Sequence, residues 1–212
     1  MGRRARTTGR FNLEPKAAVS GDAPDRPLKV VILAGVVGVL VVALAAAAFA
    51  FASSTAPGRS GSLPDGTQVY AESDHTHVNG SVTYDHVPPA GGPHNPTQLN
   101  CGIYTGPVPN ENAVHSMEHG AVWITYRPEL PVDQVTALQQ LVSSHYVGAE
   151  RYLVLSPYTG IPSPIVASAW GYQLGVDQPS DPRLVQFITK FAGGGQGGEQ
   201  GGPCTGGVGN PS

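Results

Sequence analysis

From Val30 to Ala52 the chain runs twenty-three residues without a charge, most of them valine, alanine and leucine. At 1.5 Å rise per residue, a helix of that length matches the roughly 30 Å hydrocarbon thickness of a bilayer. The stretch reads as a single transmembrane helix, residues 30–52, and it divides everything else. A cleaved signal peptide is the competing reading, because "AFAFAS" (Ala48 to Ser53) offers small residues for cleavage. The apolar run, however, exceeds the roughly 7–15 residues of a signal core and follows a long charged leader, which favours an uncleaved anchor.

Charge gives the anchor a direction. Seven of the twelve Lys and Arg precede Val30, against three acids. Basic residues on a short flank stay in the cytoplasm. The N-terminus is therefore expected to be cytoplasmic and the rest extracytoplasmic, a single-pass protein of the cell membrane. From Arg59 onward five basic residues face twelve acidic ones, a net charge of −7. That balance argues against nucleic acid as a partner, since such binding needs clustered positive charge. The basic leader suits contact with anionic lipid of the bilayer instead.

Residues 1–29 lack any apolar period and read as a disordered basic tail. Residues 53–66 ("SSTAPGRSGSLPDG" from Ser53) read as a flexible linker, and 67–192 as the folded domain. Residues 193–212 are glycine-rich. That run lacks the Lys-Ser/Thr ending of a phosphate loop, and no helix follows it. It carries Cys204, and the only other cysteine is Cys101. An even count in an oxidising compartment favours a disulfide, which would pin the tail and add roughly 4–5 kcal/mol by closing a loop of about 100 residues. Two soft metal ligands are the alternative. With no C-x-x-C, a thioredoxin-type redox site is not indicated.

Within the domain, "AVWITY" (Ala121 to Tyr126) has the β-branched and aromatic character of a strand. Pro131 then suits a helix start, and Val132, Val135, Leu138, Val142 and His145 recur at helical spacing, predicting about fifteen residues released near Gly148. "RYLVLS" (Arg151 to Ser156) and "IVASAW" (Ile165 to Trp170) predict further strands. Asp181 is expected to cap a second helix with Pro182 in its first turn and Leu184, Val185, Ile188 and Phe191 on its apolar face. The order predicts an α+β domain with a small mixed sheet and two main helices. In it the first two strands pair in parallel across the helix, and the second and third form a hairpin. Residues 67–118 read as loop-rich, with one candidate strand near Ser81 to Tyr84.

Six of the seven histidines fall between His75 and His119: His75, His77, His86, His94, His115 and His119. In "AVHSMEHG" the geometry of 115–119 decides what chemistry is open. As a strand, the two Cα atoms would lie about 13 Å apart, too far to share an ion. In a helical turn they lie roughly 6 Å apart on one face with Glu118 beside them. Asn110 or Asn112 can cap such a turn and Gly120 can end it, so a short helix over about 111–118 is expected. His115, Glu118 and His119 also match H-x-x-E-H, a pattern in which two histidines hold zinc and the glutamate is the base. That pattern normally sits inside a long helix. The plain structural reading is histidines hydrogen-bonded to backbone carbonyls or to Glu118. "HTH" (His75 to His77) puts two rings on one side if extended, and "HVPPAGGPH" (His86 to His94) either presents His94 at a fixed position or is a tight connection.

"PPAGGPH", "NCGIY", "AVHSMEHGAVWITY", "SPYTGIPSPIVASAWG" and "PCTGGVG" together resemble the bacterial domain of unknown function 3105 family, in particular its actinobacterial single-pass members. The resemblance covers most of residues 65–209 and implies an anchored extracytoplasmic domain without an assigned activity. It places His94, His115, Glu118, His119, Trp123 and Trp170 at motif positions. Met117 stands where the family usually has leucine, which favours packing over a thioether ligand. The extra glycines of 193–202 depart from the family's usual tail.

The sequence is thus read first as a membrane-anchored accessory or binding domain that engages another envelope protein. The alternative is a copper or zinc domain using His94, His115 and His119, with His77 and Glu118 beside them. The third reading is the H-x-x-E-H metallopeptidase.

Overall fold

The computed structural model describes residues 61–212. The basic tail, the helix expected at 30–52 and most of the linker lie outside the described residues, and no described helix is long and apolar enough to cross a membrane.

The segment richest in β-branched and aromatic residues becomes the centre of the sheet. Among the described residues six strands form: β1 (Gln68–Val69), β2 (Gly102–Ile103), β3 (Val122–Tyr126), β4 (Leu153–Pro157), β5 (Ile165–Ala169) and β6 (Tyr172–Val176). Their spatial order is β1-β6-β5-β3-β4-β2. β3 pairs in parallel with β4 on one side and antiparallel with β5 on the other, and all five of its residues are buried. β2 extends the parallel half, while β6 and β1 extend the antiparallel half. The sheet is mixed and the class α+β, as expected.

Among the described residues there are three α-helices, the two main ones and the short one expected near 111–118: α1 (Asn110–Glu118), α2 (Val132–His145) and α3 (Pro182–Phe191). α2 links β3 to β4, the parallel crossover foreseen from the sequence. The hairpin foreseen between β4 and β5 is not there. The connection after Pro157 carries the chain past β3, held by Arg127, whose Nη2 donates to the carbonyls of Ile161 and Pro162. β5 then pairs on the far side of β3, and its hairpin partner is β6, reached through Gly171 at φ 74°. The extended stretch expected near Ser81–Tyr84 forms no strand.

Alternation along the strands sorts side chains to two faces. Val122, Ile124, Leu153 and Leu155 join Leu138, Val142, Leu184, Phe187 and Ile188 beneath α2 and α3. Trp123 and Val154 point the other way, joining Ala113, Val114, Met117 and Trp170 beneath α1. Asp181 caps α3 by accepting from the Arg183 N–H at 2.9 Å, and Phe187 rather than Val185 completes its buried face. The two faces have different uses: one is ordinary core, and the other carries the histidines.

Cys101 and Cys204 are joined as a disulfide with Cα atoms 5.3 Å apart. The tail is also sewn down by backbone. Cys101 N donates to the Cys204 carbonyl, Asn100 N to Val208 and Val208 N to Gln98. The soft-ligand alternative for these cysteines therefore falls.

Candidate metal centre

α1 is amphipathic in an unusual sense, being buried almost throughout. Ala113, Val114 and Met117 pack under the sheet, while His115, Glu118 and His119 project from the other side, one helical turn apart. Met117 is fully enclosed, so packing is its part. Pro109, not an asparagine, precedes the first turn, and neither Asn110 nor Asn112 caps it by a side chain. Asn112 instead donates from Nδ2 to the Thr97 carbonyl, and Ser116 donates from Oγ to Leu99, tying α1 to the 97–99 segment. Gly120, at φ 103°, ends the helix as expected.

Loop segments bring the other rings to this helix. Val78 N donates to the His94 carbonyl at 2.7 Å and His94 N to Thr76 at 3.0 Å, which sets His77 beside His94. The "HTH" rings do share one side: His75 Nδ1 donates to Glu118 Oε1 at 2.6 Å, and His77 Nε2 lies 3.6 Å from Oε2. His94 Nε2 is 2.9 Å from Oε2. Gly91, in the double-proline loop, has no room for a side chain, since a Cβ there would lie 2.9 Å from Glu72 and 3.2 Å from Trp170. The loop thus presents His94 in a fixed place. His86 goes elsewhere: it stacks on Tyr70 and faces Glu72.

The decisive detail is which nitrogen of each ring is already committed. His94 Nδ1 contacts the Gly92 carbonyl at 2.8 Å, His115 Nδ1 that of Asn95 at 2.7 Å, and His119 Nδ1 that of Pro203 at 2.8 Å. A carbonyl only accepts, so each Nδ1 carries the hydrogen and each neutral ring offers a lone pair at Nε2. Those lone pairs converge. His115 Nε2 and His119 Nε2 lie 2.9 Å apart, and His94 Nε2 faces an acceptor-only carboxylate. Acceptor against acceptor is unfavourable unless a cation, a proton or a metal ion, sits between them. Backbone carbonyls holding the far nitrogen are also the usual outer support of metal-bound histidine.

Burial sharpens this. His94, His115, Glu118 and His119 are at most 4% exposed. Burial, first of all, lowers the pKa of His115; neighbouring imidazoles add to the drop and the Asn95 carbonyl opposes it. For Glu118, burial pushes upward, but the hydrogen bond from His75 and the charge and hydrogen bond of His94 outweigh it, so its carboxyl is held below the usual range. The result is a buried anion whose partners are imidazoles.

One ligand atom each from His77, His94, His115 and Glu118 lies within 4.8 Å of the others, and the same holds for His115, His119 and Glu199. The triad foreseen from the sequence is therefore split, with His115 common to both groups. Two participants escaped sequence reasoning as site residues: His75, whose signal was its place in "HTH", and Glu199, the only charged residue of the glycine-rich run. For the H-x-x-E-H reading, the carboxylate of Glu118 is engaged by His75 and His94, the geometry of an anchor for imidazoles.

The glycine run explains itself at this point. A Cβ on Gly197 would lie 2.4 Å from Glu118 Cα, and one on Gly202 would lie 2.4 Å from His119 Cδ2. The tail is a strap laid directly on the end of α1, and only glycine allows so close a backbone approach.

Fold and site together define a mixed-sheet α+β domain with a buried histidine–glutamate cluster closed by a disulfide-pinned strap. The chain belongs to the family described as a protein of unknown function, DUF3105, whose sequence profile matches residues 75–206. That match takes in every residue of the cluster, His75 to Glu199, and both cysteines. No curated protein and no solved structure matches the chain.

Proposed function

We propose that the domain binds a divalent transition-metal ion, copper(II) or zinc, through His94, His115, Glu118 and His77, on the outer side of a membrane that holds the chain at residues 30–52. The observation that carries this reading is the convergence of Nε2 lone pairs whose partner nitrogens are fixed by backbone carbonyls. It moves the metal reading ahead of the accessory reading that the sequence favours.

The donor set decides the class of ion. Cysteine sulfurs are paired and Met117 is enclosed in the core, so the donors are nitrogen and oxygen. Such a set suits divalent copper and zinc over copper(I), with copper(II) the tighter by the usual order. Around a tetrahedral ion with bonds of about 2.0–2.1 Å, ligand atoms sit about 3.4 Å apart. The four ligand atoms lie within 4.8 Å of one another, so closing to that spacing is a short movement, and His77, with its side chain 41% exposed, has solvent on one side to make it. Trans ligands of tetragonal copper(II) stand about 4 Å apart, which asks for less movement. The anchor rests on the uncharged run and its basic flank.

Elemental analysis of the full chain purified in detergent tests the reading. A stoichiometric ion lost from both His94→Ala and His115→Ala supports it, and a wild-type chain that retains no ion under copper(II) or zinc excess rejects it. Alkaline carbonate extraction tests the anchor separately: the chain should stay with the membrane pellet.

The accessory reading keeps one specific support. A cleft of about 730 Å³ opens at the C-terminal ends of β3 and β4, lined by Tyr126, Tyr158, Pro107, Pro128 and Leu130 among others. An envelope protein would dock there, and crosslinking from Tyr158 replaced by a photoreactive analogue would report it.

A further inference from the structure

We infer that His119 and Glu199, with His115 held in common, form a second, outer ion position through which the inner one is loaded and emptied. The inference rests on the metal reading above and deepens it.

Three observations lead here. First, His115 belongs to both groups of convergent ligand atoms. Its Nδ1 is bound to the Asn95 carbonyl, so it has one lone pair, at Nε2, and serves one ion at a time. Two ions sharing His115 are therefore excluded, and the two positions are alternatives. Second, they differ in access and donor number. The inner group has four donors, of which His94, His115 and Glu118 are buried. The outer group has three, and the Glu199 side chain is 52% exposed, with its Oε2 3.3 Å from His119 Nε2. An ion arriving from solvent meets the carboxylate first, and moving inward it exchanges three donors for four. Third, the outer ligands are placed by one device. The strap carries Glu199, fixes His119 Nδ1 through the Pro203 carbonyl and lies on the ring through Gly202. Tyr152 holds it further, donating from its hydroxyl to the Gly202 carbonyl at 3.0 Å. A strap serving only as cover would have no use for a carboxylate aimed at His119.

The step is a ligand exchange without redox change. The ion keeps His115 Nε2, releases His119 Nε2 and the Glu199 carboxylate, and takes up His94, His77 and Glu118. The hinge is a small rotation of the His115 ring, which stacks parallel to His77 at 4.9 Å and lies edge-on to His119 at 4.5 Å.

The test uses copper(II) as probe and the full chain in detergent. Trp170 stacks on His75 at 4.4 Å and meets His94 edge-on at 5.6 Å, so copper(II) in the inner position quenches its fluorescence. Stopped-flow loading and chelator extraction are followed in wild type, Glu199→Gln and His119→Ala. Removing the exposed carboxylate that an entering ion meets first should slow loading at least about tenfold, with extraction slowed in parallel and both stoichiometry and equilibrium affinity at the wild-type level. Wild-type rates in Glu199→Gln would show that the ion passes by His77 and would overturn the inference. So would loss of stoichiometric copper from His119→Ala, which would make His119 a retaining ligand. If wild type itself takes up no copper, the proposed function falls first, a result visible before any variant is compared.

Discussion

Replacing Glu118 by glutamine removes the buried negative charge among the imidazoles and keeps the shape, so it separates two effects that most substitutions would mix. Without metal, two contacts are at stake: the hydrogen bond from His75 Nδ1 at 2.6 Å, and the contact with His94 Nε2 at 2.9 Å, where a proton takes the place of the metal ion. Hydrogen bonds to charged groups contribute about 1.5–3 kcal/mol and are roughly twice as strong as neutral ones. Neutralising the acceptor should cost about 2–3 kcal/mol for the pair. Relief of the buried charge returns part of that, leaving about 1–2 kcal/mol. For a folded unit of this size each kcal/mol is about 2–4 °C, so the metal-free Tm of Glu118→Gln should fall by about 2–8 °C.

The metal-dependent increment is the sharper reading. At a free ion concentration one hundred times the wild-type Kd, binding stabilises by about 2.7 kcal/mol, or about 5–11 °C. Loss of a charged ligand should weaken binding on the order of 100-fold, the upper end of what outer-shell changes alone produce. At the same ion concentration the increment then drops to RT ln 2, about 0.4 kcal/mol or about 1–2 °C. Circular dichroism melts with and without zinc, on the full chain in detergent, measure both quantities. Equal zinc increments in wild type and Glu118→Gln would refute the placement of Glu118 among the ligands. An unchanged metal-free Tm would refute the energetic weight given to its two hydrogen bonds.

Four further outcomes are expected. Cys204→Ser should cost roughly 4 kcal/mol of unfolding free energy, measured by denaturant titration, and expose the 193–203 segment to protease; resistance equal to wild type would contradict the pinning. Gly197→Ala places a methyl 2.4 Å from the backbone of Glu118 and should destabilise by about 1–3 kcal/mol, whereas Gly106→Ala, whose added methyl meets nothing within 4 Å, should leave the melt unchanged. Asp181 is held below its ordinary pKa of 3.8 chiefly by the hydrogen bond from Arg183, so its ionised form stabilises above that value and the benefit is lost as pH falls through the lower folded value; Asp181→Ala should cost about 1 kcal/mol at neutral pH and converge on wild type in acid melts. Because imidazole ligands must be unprotonated, copper or zinc affinity should fall as pH drops below about 6, and a flat isotherm series from pH 7.5 to 5 would count against histidine ligation.

What could be read from the sequence follows from where each decision is taken. β3 and α3 were readable because the residues that specify them are local: a β-branched aromatic run in one, and an Asp-Pro cap ahead of an apolar face in the other. The partner of β5 was not, because pairing is chosen in space. Buried at all five positions, β5 needs neighbours on both sides, and beside β3 and β6 it has them. β6 was missed since "YQLGV" breaks the apolar pattern. Gln173 is buried by donating to the Pro88 carbonyl and Ser168 Oγ, and a Cβ at Gly175 would strike Ser163. Both residues are explained only by segments distant in sequence or across a turn.

The same distinction governs the site. Requiring 115–119 to be helical was enough to bring His115, Glu118 and His119 to one face, and that is how the structure has them. Composition could not separate His75, which reaches Glu118, from His86, which stacks on Tyr70. Nor could it show that a glycine run, which reads as a spacer, carries Glu199 to His119. The deeper reason is that ring orientation, the property that turns six histidines into a donor set, is held by the carbonyls of Gly92, Asn95 and Pro203. Every residue has a carbonyl, so a search by residue type finds the imidazoles and misses what aims them. Altering those three segments should therefore change metal affinity while every histidine is left in place, which makes backbone position, and not histidine count, the quantity that defines this centre.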